Sequence, residues 1–327
     1  MDVQYRITGL GPLVFGDGRP FSNQEGSLNV NGLNLPYPST LTGALVRPLL
    51  GAPENGAIPH LGHFIVRGPL LAKNGEVFYP RPLDGVPMEK GDESVMVKLR
   101  PGFPTAGTDA PTELESLAGC NLTAWEAQGY RRTKHAPSEF LSAKSLAASL
   151  LDEGSDLVPL SLSPPLMRER RVGVGIDYKT QSAERGKLYS TTGVYYATQL
   201  SKRNGDPIRR EASEVDLRVM VSLPNGREAP NAFAFPFGGE KRYAVAKRVD
   251  AVDPFQCPDP VRDALAQTRK IKLVLATPAQ FDGGWIPAWL RNGEESPYSK
   301  LRFRLVSACV GRKGAVSGWG QGKNYGP

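Results

Sequence analysis

The sequence predicts an α+β fold made of short strands and short helices. Its 327 residues include 36 glycines and 29 prolines, which are spread along the chain rather than clustered. This distribution is typical of many short strands joined by turns. Strand patterns and short helical patterns interleave in both halves of the chain, which fits an α+β sandwich better than a doubly wound parallel sheet. The length allows two modest domains or one large one.

The chain begins with a strand, a glycine-rich loop and a helix. Val3–Thr8 alternates as a strand. After the loop, Ser39 or Thr40 is a good helix N-cap, because a hydroxyl oxygen can accept a hydrogen bond from an otherwise unpaired first-turn N–H. The helix presents one apolar stripe and ends at Gly51, and the stripe consists of Leu41, Leu45, Val46 and Leu49.

A hairpin and an insertion follow this helix. Strands are predicted at 64–71 and 76–80 around Asn74-Gly75, a dipeptide that supplies the positive φ of a tight hairpin turn. Residues 85–140 carry few periodic apolar positions and predict a long irregular insertion. Leu141–Leu151 predicts a short helix.

A basic ribbon opens the second half of the chain. Met167–Tyr189 predicts two strands with charge concentrated at the base and the tip. The basic side chains are Arg168, Arg170, Arg171, Lys179, Arg185 and Lys187, and the acidic ones are Glu169, Asp177 and Glu184. Their net charge of +3, out of +7 for the chain, suits an extended polyanion, although the carboxylates neutralise part of it locally.

Further strands and one helix follow the ribbon. Asp259–Thr268 predicts a helix with Pro260 in its first turn, where a missing N–H is tolerated. Strands are predicted at Val194–Leu200, Val215–Leu223, Lys270–Ala276 and Lys300–Val310.

Composition indicates in which cellular compartment the protein is found and which kind of partner it binds. No run approaches about 18 uninterrupted apolar residues, and the N-terminus lacks the pattern of a signal peptide, so we expect neither a membrane span nor a leader. The three cysteines, Cys120, Cys257 and Cys309, form no CxxC pair, which argues against a disulfide framework or zinc and favours the cytoplasm. An isoelectric point near 9.3 favours an anionic partner.

Catalytic motifs are scarce. The three histidines are His60, His63 and His135, and no cysteine or carboxylate pair joins them in a metal-binding spacing. A general acid–base histidine stays open, but nothing selects one. Nucleophile-elbow and P-loop motifs are missing from the sequence. We therefore expect a protein that is not an enzyme, with no metal and no cofactor.

Anion-binding candidates are more numerous. Arg19 lies in the glycine-rich loop before a helix start, whose free N–H groups and positive dipole end suit a phosphate. The alternative is that Asp17 and Arg19 pair to brace the loop. Residues 235–242 place two phenylalanines, two glycines and two cations together, a combination suited to single-stranded nucleic acid. The phenylalanines are slightly better explained as core residues beside a turn.

Several segments together resemble one family, the third subunit of the Cmr complex, the type III-B CRISPR effector, within the RAMP superfamily. They occur in the family's order and span most of the chain. The segments are PLVFGDGRPF (12–21), PYPSTLTGALVRPLL (36–50), VRGPLLAKNGEVFYPRPLD (66–84), ERRVGVGIDYKTQSAERGKLYS (169–190), FPFGGEKRYAV (235–245) and LATPAQFDGGWIP (275–287).

The resemblance implies two ferredoxin-like (RRM-like) β-α-β-β-α-β units. The first would occupy residues 1–160 and include the insertion, and the second would occupy 161–327 with the ribbon. Family members commonly continue past the Gly-Trp segment through a further strand that this sequence lacks. Either the sequence is incomplete, or the second unit manages without its last strand.

The resemblance also implies a non-catalytic role in antiviral defence. The subunit would cap the single-stranded 5′ tag of the crRNA and contact the large palm/cyclase subunit and the backbone RAMP subunits. RNA contacts are expected from Arg19, Ser39, Thr40, Arg168, Arg170, Arg171, Lys179, Arg185, Lys187, Gly238, Gly239, Lys241 and Arg242. The alternatives are a metal-independent RAMP endoribonuclease that processes precursor crRNA, and a protein–protein adaptor that binds no RNA alone.

Overall fold

The computed structural model describes thirteen segments of the chain. These are residues 1–18, 29–30, 32–51, 63–91, 93–102, 119–120, 128–133, 140–151, 157–159, 166–202, 210–224, 226–281 and 284–311. Arg19, His60, His135 and the Gly-Trp segment near the C-terminus, all singled out in the sequence, lie outside the described residues.

The described residues form an α+β fold, as predicted, dominated by antiparallel strands. The strands are β1 (Asp2–Gly9), β2 (Asn29–Val30), β3 (Ile65–Lys73), β4 (Glu76–Pro80), β5 (Gly85–Lys90), β6 (Glu93–Lys98), β7 (Pro101–Gly102), β8 (Gly119–Cys120), β9 (Arg131–Arg132), β10 (Phe140–Ser142), β11 (Leu157–Pro159), β12 (Arg168–Asp177), β13 (Ser182–Val194), β14 (Thr198–Lys202), β15 (Arg210–Ser222), β16 (Ala232–Pro236) and β17 (Tyr243–Arg248). The helices are α1 (Pro38–Leu50), α2 (Ala143–Leu150), α3 (Asp259–Gln267) and α4 (Ala288–Arg291).

The chain divides into two compact units, and each draws on both sides of residue 160. The first unit contains the described residues within 1–78 and 164–256, and the second contains those within 79–163 and 257–312. The presence of two ferredoxin-like units stays a prediction. No helix among the described residues is long and apolar enough to cross a membrane.

The first unit is built on one antiparallel sheet in which β1 is central. The strand order is β4-β3-β15-β1-β17-β16, and β14 pairs with the free part of β15. Alternate residues of β1 and β15 share a face, and Tyr5, Ile7, Leu217 and Val219 on that face are fully buried. Helix α1 packs on β3 and β16 and buries Leu41, Leu45 and Leu49, most of the predicted stripe.

The predicted helix start is wrong by two or three residues. Tyr37, in extended geometry, is the N-cap of α1, and Pro38 is the first helical residue. Proline suits this position, because its φ is already helical and its missing N–H would have had no partner. Ser39 and Thr40 therefore lie exposed within the first turn and do not cap it. The predicted end is correct, since Gly51 follows the helix with φ of +92°.

The hairpin turn between β3 and β4 is confirmed. Asn74 and Gly75 both have positive φ, at +50° and +83°, as a type I′ turn requires. The Asn74 side-chain oxygen also accepts a hydrogen bond from the Glu214 backbone N–H at 2.8 Å, which ties the turn to β15.

The second unit corrects the expectation of an irregular insertion. Strands β5 and β6 form a hairpin inside it and belong to a four-stranded sheet of order β11-β6-β5-β9. Cross-strand pairs such as Met88 with Val95 build a small core with Val97 and Tyr130. Each strand shows only a few apolar residues before a run of charges, so the sequence pattern was too short to reveal the pairing.

Helices α2 and α3 confirm the predicted short helices with shifted ends. Ser142 caps α2 by accepting a hydrogen bond from the Ser145 N–H at 3.2 Å. Helix α3 has Pro260 in its first turn, as predicted. The strands predicted after it are wrong: residues 270–276 and 300–310 join no ladder in the part of the chain that the structure describes. The strand predicted at Val194–Leu200 is divided between β13 and β14.

Candidate nucleic-acid interface

The basic ribbon is present as predicted, and its two faces differ. Strand β12 pairs antiparallel with β13 from Arg168↔Val194 to Asp177↔Ser182, with a register shift between Val174 and Ile176. One face exposes aliphatic side chains, namely those of Val172, Val174 and Leu188. At the tip, the Asp177 carboxylate accepts hydrogen bonds from the Lys179 and Thr180 backbone N–H groups, so it holds the turn.

The opposite face of the ribbon is filled by its own side chains. The Tyr189 ring lies over Gly173, where a Cβ atom would come within 2.3 Å of the ring. The Lys187 stem lies over Gly175 in the same way, at 3.0 Å. Glycines within a strand often leave room for the close approach of a backbone or a base. The structure gives that space to Tyr189 and Lys187 instead.

The base of the ribbon is joined to the glycine-rich loop. Strand β13 pairs in parallel with β2, and Leu13 exchanges two backbone hydrogen bonds of 2.8 Å with Val194. Gly32 lies against the Thr192 carbonyl so closely that a Cβ would sit 2.2 Å from its oxygen. Arg168 donates a hydrogen bond to the Asn34 side-chain oxygen, just before α1. The loop and the ribbon base therefore form one structure.

The turn between β16 and β17 completes this junction. Glu240 and Lys241 both have positive φ, at +56° and +52°, and the Arg242 N–H reaches the Gly239 carbonyl at 3.3 Å. Non-glycine residues in this conformation cost about 1–2 kcal/mol each, so the surroundings must hold the turn. They do so at two points: the Gly239 N–H donates to the Val14 carbonyl at 2.8 Å, and the Glu240 carboxylate accepts from the Thr191 hydroxyl at 2.8 Å.

A cleft of about 940 Å³ lies where three of the predicted segments meet. The glycine-rich loop contributes Gly16 and Gly18, the start of α1 contributes Tyr37 and Thr40, and the turn after β16 contributes Gly238 and Gly239. Most of the remaining lining is apolar, and Arg47 supplies a cation from α1. An apolar slot with glycine backbone on its walls and few polar groups has the size and character of a small-molecule or base-sized site.

Arg47 and Tyr37 are the lining residues that the sequence reasoning missed. Arg47 lies exposed in the last turn of α1, four residues before the Gly51 that ends the helix. In the described part of the chain, no carboxylate lies within ion-pair distance of its guanidinium. A signal was available, since Thr40, Gly43, Ala44 and Arg47 recur at three- and four-residue spacing and so share a helix face.

Several of the predicted RNA-binding cations are already paired with carboxylates. Arg171 pairs with Glu169, Lys187 with Glu184, and Arg242 with Glu240 at 3.0 Å. The Tyr195 hydroxyl, and next Arg171, lower the pKa of Glu169 by hydrogen bonding to its carboxylate. The Thr191 hydroxyl, helped by Arg242, lowers the pKa of Glu240. Both carboxylates are therefore charged at neutral pH and neutralise their arginines.

Other predicted cations have no carboxylate partner among the described residues. Arg168 is held by Asn34, and Arg170 reaches only the Ser190 hydroxyl, at 3.4 Å. Lys179 at the ribbon tip and Lys241 in the turn are exposed. No described carboxylate neutralises these side chains, so they are available to an external anion.

The predicted site residues are thus brought together in part. Thr40, Gly238 and Gly239 line the cleft. Arg168, Arg170 and Arg171 lie at the ribbon base, and Arg242 lies across from them beside Thr191. Ser39 is near the cleft in sequence but does not line it, and Lys179 is at the far end of the ribbon. Arg185 is on β13, but its side chain lies outside the described residues, as does all of Arg19. That these residues bind RNA stays a prediction.

The two phenylalanines of segment 235–242 belong to the core. Phe235 and Phe237 are each 1% exposed, and their rings pack on each other with centroids 5.3 Å apart. Phe237 also packs edge-on against Phe15 at 4.9 Å. The alternative of a structural role is therefore correct for this pair, and Phe235 also forms part of the apolar lining of the cleft.

The described ranges contain no cluster of metal-ligating side chains. No three histidine, cysteine, aspartate or glutamate side chains converge there in a way that could hold an ion. Of the three histidines, the described one is His63, which is exposed just before β3.

Comparison with known proteins identifies the family. Residues 5–325 match the model of the family described as CRISPR-associated protein (Cas_Cmr3). The chain belongs to this family. The resemblance drawn from the six sequence segments is thereby confirmed. No curated protein matches the chain in sequence.

Two solved structures are similar to the chain at low identity. One is a cryo-EM structure of type III-B Cmr-beta bound to cognate target RNA and AMPPnP, with 17% identity and a TM-score of 0.36. The other is a cryo-EM structure of type III-B Cmr-beta bound to cognate target RNA, with 18% identity and the same TM-score. Each match covers 76% of this chain and 64% of the other, so the chain spans less than two thirds of the length of these relatives.

Proposed function

We propose that this member of the Cas_Cmr3 family binds the single-stranded 5′ tag of a crRNA as a subunit of a type III-B CRISPR ribonucleoprotein. The observation that carries the proposal is the cleft between the glycine-rich loop, α1 and the Gly238–Gly239 turn, with the ribbon base beside it. The cleft accepts an unstacked base, and the adjacent cations accept phosphates. Single strands are the RNA form in which bases are free to enter such a cleft.

The division of labour follows from the charges. Arg47 meets the nucleotide inside the cleft, and Arg168 and Arg170 meet phosphates at the ribbon base, because no carboxylate in the described residues neutralises them. Arg171 and Arg242 hold their glutamates and so keep the ribbon and the turn in place. Backbone N–H groups of the glycine segments add fixed donors.

The role is non-catalytic in this proposal, and the subunit also contacts the large palm/cyclase subunit and the backbone RAMP subunits. Binding of the crRNA 5′ tag requires only electrostatic and shape recognition. If the chain instead processed precursor crRNA, purified protein would cleave repeat RNA in EDTA, and a single His→Ala change at His60, His63 or His135 would abolish that cleavage.

RNA binding measured on the assembled complex tests the proposal. Arg47→Ala should lower the affinity for tag-bearing crRNA at least about tenfold while the melting temperature stays within about 1 °C, because Arg47 is exposed and makes no ion pair in the described structure. An exposed arginine of the second unit, Arg262, pairs with Asp259 on α3 and provides the control. Equal loss in Arg47→Ala and Arg262→Ala, or no loss in either, would contradict the assignment of the cleft.

A further inference from the structure

The second unit exposes aliphatic side chains along two extended segments. In residues 270–276, Ile271, Leu273 and Leu275 are 40%, 66% and 60% exposed, and the residues between them are half-buried. In residues 300–310 the same alternation exposes Val306 and Val310, at 50% and 55%. Alternation of this kind turns every second side chain of a segment toward solvent, although neither segment joins a described sheet.

One loop brings the two segments together. Lys272 forms a 2.6 Å ion pair with Asp84, which fixes the first segment to the start of β5. A Cβ atom on Gly311, at the end of the second segment, would lie 3.3 Å from the Leu83 side chain. Leu83 is itself 52% exposed. Because both segments contact this loop, we group their exposed aliphatic residues with Leu83 as the aliphatic patch, which consists of Leu83, Ile271, Leu273, Leu275, Val306 and Val310.

Cations flank the aliphatic patch. Arg269 and Lys270 precede the first segment, and Arg304 lies within the second, all exposed. Among the residues that the structure describes, no carboxylate lies within ion-pair distance of these three side chains. Lys272 differs, because Asp84 already neutralises it.

The chemistry of the aliphatic patch favours a protein over a nucleic acid. Single-stranded nucleic acid is held by aromatic stacking beside cations, and none of the six patch residues is aromatic. Leucine, isoleucine and valine instead form the desolvated centre of protein interfaces, which a charged rim surrounds. The flanking cations then select a partner whose rim is acidic.

We propose that the aliphatic patch docks a protein that presents an apolar strip bordered by aspartate or glutamate side chains. The surface lies in the second unit and its argument is independent of the RNA site in the first. Because the patch residues are already exposed, changing them leaves the fold of this chain intact.

Site-specific photocrosslinking in the assembled complex tests the docking surface. Benzoylphenylalanine replaces Leu273 in one variant and Leu275 in another. It replaces Leu10, a 70% exposed leucine of the first unit, in the control. Positions 273 and 275 should crosslink to one protein segment that is apolar with carboxylates beside it, and position 10 should not reach that segment. Crosslinks to RNA, to a second copy of this chain, or to no polymer at all would overturn the proposal.

Affinity for the crosslinked protein supplies a second measurement. Leu273→Glu should weaken binding at least about tenfold, because it removes apolar burial and places a carboxylate against acidic groups. Arg304→Glu should weaken binding mainly at low salt, whereas Leu10→Glu should leave it unchanged. If Leu273→Glu and Leu10→Glu bind equally well, the aliphatic patch is not the docking surface.

Discussion

Replacing Gly238 by alanine tests how the turn forms one wall of the cleft. Gly238 has φ of +82°, a conformation that costs an alanine about 1–2 kcal/mol. A Cβ atom there would also lie 2.6 Å from the Val14 carbonyl oxygen, and backbone cannot move aside as a flexible side chain can. Overpacking of this kind adds about 1–3 kcal/mol. Gly238→Ala should therefore destabilise the first unit by about 2–5 kcal/mol.

The neighbouring glycine provides a matched control. A Cβ atom on Gly239 would have its closest contact at 3.7 Å, an ordinary distance, and the φ of this residue is not in the left-handed region. Gly239→Ala should change the stability by less than about 0.5 kcal/mol. The two variants differ by one position and carry the same methyl group, so they separate local geometry from composition.

Thermal unfolding and RNA binding are the measurements. The melting temperature of a unit of this size falls by about 2–4 °C for each kcal/mol of destabilisation. Gly238→Ala should therefore lower the melting temperature of the first unit by at least about 4 °C. It should also weaken crRNA binding at temperatures where the protein is folded, because the wall of the cleft shifts against Val14. Equal melting temperatures for the two variants would show that Gly238 does not face Val14 in this way.

Three further predictions concern charged groups. Arg170→Ala should flatten the log–log salt dependence of RNA binding by about 0.7, whereas Arg171→Ala should flatten it less because Glu169 already neutralises that arginine; equal slopes would refute the distinction. Glu240→Gln should lower the melting temperature at pH 7. The difference from the unmodified protein should vanish as the pH falls through the lowered pKa of Glu240, because the unmodified protein then loses its stabilising carboxylate as well. A difference that persists in acid would contradict the role of Thr191 and Arg242 as partners of Glu240. Arg218→Ala should lower the free energy of unfolding in urea by about 3–5 kcal/mol, because it leaves the buried carboxylate of Asp216 without its partner. Burial already raises the pKa of Asp216, and Asp216→Asn in the same chain should recover part of the loss. Additive losses would show that the two side chains do not act as a pair.

Local signals in the sequence predicted the elements that local chemistry determines. The ribbon and the Asn74-Gly75 turn follow from alternation and from turn residues, and both are present. The start of α1 was misplaced because the hydroxyl residues suggested a cap, while Pro38 had the stronger positional preference. A local sequence pattern predicts the start of a helix correctly only when no second signal favours a different residue.

Features that depend on contacts between distant parts of the chain could not be predicted from the sequence. The hairpin of β5 and β6 gains its core from Tyr130, more than thirty residues later. Residues 270–276 have a clear strand composition and still join no described ladder, because composition does not provide a neighbour. The cleft shows the same limit, since Arg47 acquires its importance only when folding brings Gly238 to the same cleft.

The position of β1 at the centre of its sheet constrains how the chain is made. Its two neighbours, β15 and β17, begin 208 and 241 residues after Asp2. At about 5–20 residues per second, a ribosome needs some 10–40 s to deliver the first of them. During that interval the nascent β1 has two open edges, a template for pairing with other chains. Successful expression therefore depends on whatever shields the first ten residues until Arg210–Ser222 emerges, and slower translation between these points should raise the yield of aggregates.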